Sequence, residues 1–154
     1  MLSSPNPTRE NLYESDYYLW LQTIVESMKA GDLTAIDWEN LIEEIEEMGR
    51  REKRAVFSNL KILLMHLLKY KYQPQKRSNS WLFTILEHRQ RLQEDFEASP
   101  SLKNYFRQCF EKCYLSARQL AATETGLPLV SFPEKSPFTP EETLNTDFLP
   151  KKEK

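Results

Sequence analysis

The strongest constraint on this chain is one apolar stripe. Trp38, Leu41, Ile42, Ile45 and Met48, followed by Val56, Leu60, Leu63, Leu64 and Leu67, keep a common helical phase, with Asn40, Glu43, Glu44, Glu47 and Arg51 opposite the first half. Gly49 lies inside the stripe, where a glycine would conventionally end a helix. A break would reset the phase, and none is seen. The pattern predicts one helix from Asp37 to about Tyr72, roughly 50 Å long at about 1.5 Å per residue, in which the glycine costs about 1 kcal/mol relative to alanine. Ile62, Leu63, Leu64 and Met65 point to four sides, so that stretch is expected at the buried centre of the domain.

The remaining segments also have helical rather than alternating periodicity. After a polar leader over residues 1–14, Ser15 or Asp16 can cap a helix with Tyr17, Leu21, Ile24, Val25 and Met28 inward, closed at Gly31. Pro74 ends the long helix. Ser78 or Ser80 can cap a third, from Trp81 to Ala98, with Trp81, Leu82, Ile85, Leu92 and Phe96 inward. Ser99 and Pro100 form a cap and first-turn pair for a fourth, running through Leu102, Phe106, Cys109, Phe110, Cys113, Tyr114, Ala117 and Leu120 to Gly126. The expected fold is all-α, an up-and-down bundle of four main helices over residues 1–126. Residues 127–154 hold five of the nine prolines and cannot extend it. Leu127, Leu129, Val130, Phe132, Phe138, Leu144, Phe148 and Leu149 are too many apolar side chains for a solvated tail. They predict a Pro-rich C-terminal strap on the same domain, with Thr139, Pro140 and Glu142 set to start a short helix.

Charge is distributed unevenly although the net charge of the 154 residues is only −2. Residues 1–47 carry two basic and eleven acidic side chains, residues 48–91 eleven basic and two acidic. Either the two segments cancel by folding together or pairing between copies, or residues 50–77 form a basic face for nucleic acid. The basic loop Lys69, Lys71, Lys76 and Arg77, interleaved with Tyr70, Tyr72 and Trp81, is the candidate polyanion-binding region. Its other reading has the aromatics packing the loop while the lysines stay solvated. The acidic stripe Asn40, Glu43, Glu44 and Glu47 is a solvated face, a cation ladder or a docking face for a second copy.

Three glycines leave no room for a Gly-rich phosphate loop, and no nucleophile elbow, His-Glu-x-x-His or paired CxxC occurs, so no cofactor is expected. Cys109 and Cys113, one helical turn apart, suit buried thiols better than a disulfide or half of a zinc site. Asn59, His66 and Tyr70 share one side of the long helix. They form a polar core site satisfied internally or, remotely, a metal-dependent enzyme centre completed by Glu43, Glu44 or Glu47. Without a signal-like start or an apolar run of about 20 residues, the expectation is a cytoplasmic protein with no membrane contact.

The runs DWENLIEEIEEMG (37–49), LLMHLLKYKYQPQKRSNSW (63–81), SPSL (99–102), ETGLPLVSFPEKSPF (124–138) and DFLP (147–150) resemble the bacterial family known as domain of unknown function 29, common in cyanobacteria. The resemblance spans about Tyr13 to Pro150. It implies an all-helical bacterial domain and brings no catalytic residue, ligand or cofactor with it. Members often have Gln where this chain has His88 and Trp where it has Tyr70, so His88 is not expected to be a family-wide ligand. Together these readings predict a non-catalytic binding or regulatory module with a protein partner or self-association. The alternative is a nucleic-acid-associated regulator.

Overall fold

A computed structural model describes residues 9–151, with side chains from residue 12. Six α-helices occur among them: α1 (Arg9–Ser15), α2 (Tyr17–Lys29), α3 (Trp38–Tyr72), α4 (Asn79–Ala98), α5 (Leu102–Thr125) and α6 (Pro140–Leu144). Three 3₁₀ turns separate some of them, and no strand is present among the described residues. The protein is an all-α helical bundle with four substantial helices. Its residues group into two compact units, Met1–Arg51 and Glu52–Lys154.

The long helix is continuous. Gly49 has helical backbone, and a Cβ there would meet nothing within 4 Å. The stripe keeps its phase because the helix never stops. Part of the leader expected over residues 1–14 is helical. Residues 9–14 belong to α1, while residues 1–8 lie outside the described residues.

In the first unit, Asp16 accepts a hydrogen bond from the Leu19 N–H and starts α2, and Gly31 at φ +70 follows its end. The α2 side chains seated in the core are Trp20 and Ile24, against Ile36 with Leu12, Tyr13 and Leu41. This corrects the inward face expected for α2. Leu21, Val25 and Met28 lie on its exposed flank, as do Trp38, Ile42, Ile45 and Met48 on α3. Trp20 displaces them because its indole is both the largest apolar group on the helix and a donor, and Asp37 accepts from its Nε1 at 3.1 Å.

The second unit carries the main core. Val56, Leu60, Leu63, Leu64, Leu67 and Leu68 of α3 meet Ile85, Leu92 and Phe96 of α4 and the α5 face through Phe106, Cys113 and Ala117. Ser78 caps α4 by accepting from the Trp81 N–H. Leu82 and Leu120, expected inward, are exposed at 36% and 40%. Ser99 caps no helix by its side chain. It terminates α4, and α5 begins two residues after Pro100, through i→i−3 bonds to the Ser99, Pro100 and Ser101 carbonyls. Gly126 closes α5 in the left-handed region at φ +73.

The segment after Gly126 lies on this core. Phe132 and Phe138 are buried, Phe138 meets Phe148 edge-on at 6.1 Å, and the Tyr114 hydroxyl donates to the Pro133 carbonyl. Thr139 and Glu142 form a reciprocal capping box with Pro140 in the first turn of α6. Leu129, Val130 and Leu149 face solvent.

Candidate functional site

A lysine set among leucines anchors one end of the second unit. Lys69 falls in the same turn as Leu67 and Leu68 and is only 4% exposed. A buried ammonium needs a counter-charge, and the Glu124 carboxylate near the end of α5 accepts from Nζ at 2.6 Å. The Trp81 ring lies 4.6 Å from the same ammonium. Arg77 is likewise committed. Its guanidinium stacks 4.0 Å over the Tyr70 ring, its Nε donates to the Tyr70 carbonyl, and an Nη donates to the Pro150 carbonyl at 3.3 Å. Of the four cations in the expected polyanion loop, these two hold the fold together. Lys71 sits beside the Tyr72 ring at 5.7 Å, and Lys76 is exposed on the 3₁₀ turn Pro74–Lys76.

His66 is half-buried, and its Nδ1 donates to the Ile62 carbonyl at 2.9 Å. Burial holds the imidazole below its ordinary range against the hydrogen bond to the Ile62 carbonyl and the Glu124 charge, and Lys69 and His88 push the same way as burial. Asn59 is partly buried on the same helix and Tyr70 sits under Arg77. The three expected carboxylates are engaged within the first unit. Glu43 and Glu47 bind Arg50 at 2.8 and 2.7 Å, and Glu44 accepts from the Tyr13 and Tyr17 hydroxyls. Those hydrogen bonds to Glu44 push the Tyr13 phenol up to about 12 and lower the carboxyl of Glu44. Among the described residues no group of three or more His, Cys, Asp or Glu could hold a metal ion. Cys109 and Cys113 are free and buried, and the Cys113 thiol donates to the Cys109 sulfur at 3.8 Å, which together with burial holds Cys113 protonated.

Sequence reasoning missed two features. Arg89, 2% exposed, reaches the strap, where its Nε donates to the Thr143 carbonyl at 2.8 Å and an Nη to the Glu142 carbonyl at 3.4 Å. A charged residue in phase with Ile85 and Leu92 was the available signal. The second is a face of the first unit that no described residue covers. The Trp20–Asp37 and Tyr17–Glu44 bonds fix α2 antiparallel to the start of α3. Leu21, Val25 and Met28, and Trp38, Ile42 and Ile45, each follow i, i+4, i+7 spacing. Both sets lie about 100° round their helices from the buried seam in the same rotational sense, so in an antiparallel pair they emerge on one side. All six are between 36% and 58% exposed.

The residues define an all-helical domain with a strap tied to its helices and apolar side chains exposed on one helix pair. The profile of the family described as Domain of unknown function DUF29 matches residues 12–149, nearly the whole chain, and the protein belongs to that family. No curated protein and no solved structure matches the chain. No helix among the described residues is long and apolar enough to cross a membrane.

Proposed function

We propose that this protein is a non-catalytic binding or regulatory module of the bacterial cytoplasm, working through the apolar face of α2 and the first turns of α3. One observation carries the reading. Six large apolar side chains from two helices are left on one face of a unit whose own core holds only Trp20, Ile24 and Ile36 as fully buried apolar residues among those described. An exposed apolar patch of that size is often functional.

The test is capture from the native cell with a tagged chain, set against the same chain carrying Ile42→Glu and Ile45→Glu. A polypeptide held in stoichiometric amount by the first and lost by the second, identified by mass spectrometry, supports the reading. Identical captures by both chains overturn it.

A further inference from the structure

We infer that the occupant of this apolar face is the same face of a second copy of the chain, the two helix pairs closing into a four-helix interface. The inference rests on the reading of that face as the interaction surface and names its partner.

The area agrees with a self-paired interface. Six side chains exposed between 36% and 58% present on the order of 500 Å², at the upper end of the patches that single chains leave uncovered. Homodimer interfaces are about 65% apolar. Adding the polar rim in that proportion brings each side near the roughly 800 Å² per partner of a standard interface. The face is made of two side-by-side apolar stripes on antiparallel helices, and such a surface is self-complementary under a two-fold axis.

The charges around it set the arrangement. Outside the α3 stripe stand Glu39, Glu43 and Glu46, the last two paired with Arg50, whereas outside the α2 stripe stand Tyr18, Gln22, Glu26 and Lys29. Laying α3 of one copy over α3 of the other would put carboxylates against carboxylates. Laying α3 over the partner's α2 sets the acidic rim against one in which a single carboxylate, Glu26, and a single ammonium, Lys29, cancel, twice by symmetry. The second arrangement is the one we assign. Such an interface is held by apolar burial, so added salt screens the residual repulsion between two acidic units without removing the attraction.

Sedimentation velocity on the purified full chain, from about 1 to about 200 µM, tests the assignment. The expected result is a species of twice the monomer mass that persists when salt is raised from about 0.05 to about 0.5 M. It should revert to monomer in Ile42→Glu and in Val25→Glu, each retaining the helical circular dichroism of the parent. Phe83→Ser, at a 64% exposed position in the second unit, should leave the dimer intact. A protein that stays monomeric throughout overturns the assignment, as does a dimer that dissolves at high salt or survives both face substitutions. A monomer that still captures another polypeptide through Ile42 and Ile45 refutes the second copy while leaving the proposed function standing.

Discussion

Arg89 and Thr143, fifty-four positions apart, are joined by a buried 2.8 Å hydrogen bond from the guanidinium Nε to the threonine carbonyl. Arg89 comes from the middle of α4 and Thr143 from the short helix in the strap, so one side chain ties the strap to the helices beneath it. Burial lowers the guanidinium to about 10, which still leaves it charged at neutral pH. That charge is satisfied by backbone carbonyls of Thr143 and Glu142.

Arg89→Met should therefore loosen the strap first. It keeps much of the stem's packing while leaving the Thr143 carbonyl without its donor, a loss of about 1–3 kcal/mol, whereas the Glu142 carbonyl keeps the Asn145 N–H. Hydrogen exchange should show residues 138–148 losing protection more than the amides of α3. Unchanged protection and an unchanged melting temperature would count against the latch.

His66 gives a pH dependence with a definite sign. Its folded pKa lies below the 6.5 of the free side chain, chiefly through burial. Between the two values the unfolded chain binds the extra proton, so stability is complete above about 6.5 and declines as the pH falls below it. His66→Gln should flatten that segment of the stability curve, measured by urea melts between about pH 7.5 and about pH 5. A curve equally steep in parent and variant would assign the effect elsewhere.

The long helix, the caps at Asp16, Ser78 and Thr139, and the closing glycines were legible because each depends on local spacing and local hydrogen bonds. The uncut phase through Gly49 was the most informative signal. The inward face of α2 was misread because periodicity identifies an apolar flank without saying whether anything lies against it. Leu21, Val25 and Ile42 look like core residues in sequence, and they are exposed because the first unit is only a helix pair with a short helix beside it. The roles of Lys69 and Arg89 depend on Glu124 and Thr143, more than fifty residues away, and no local pattern encodes those partners.

The basic loop separates into structural and solvent-facing cations. Lys69→Ala removes the ion pair with the half-exposed Glu124 carboxylate, which water can then solvate, and the contact with the Trp81 ring, and should cost about 0.5–2 kcal/mol. Lys76→Ala should change the melting temperature little, because that side chain stands on an exposed turn. A gel-shift titration at two salt concentrations, on the parent and on Lys71→Ala with Lys76→Ala, tests the nucleic-acid alternative. We expect no shift at physiological salt. A salt-dependent shift abolished by the double substitution would establish the regulator reading instead.

The two glycines at Gly49 and Gly126 should respond to alanine with opposite signs. Gly49 has helical backbone with nothing within 4 Å of where a methyl group would stand, so alanine removes backbone entropy from the unfolded chain and gains helix propensity. Measured by urea unfolding of the dilute protein, Gly49→Ala should be more stable by about 0.5–1 kcal/mol. Gly126 also has open space around it, yet its φ of +73 places a side chain in the left-handed region. Its N–H closes α5 by donating to the Ala122 carbonyl at 3.0 Å, so the backbone is held there. Gly126→Ala should lose about 1 kcal/mol from strain alone. Destabilisation by both substitutions would show that the helix at Gly49 bends or is approached by another chain, and stabilisation by both would contradict the left-handed cap.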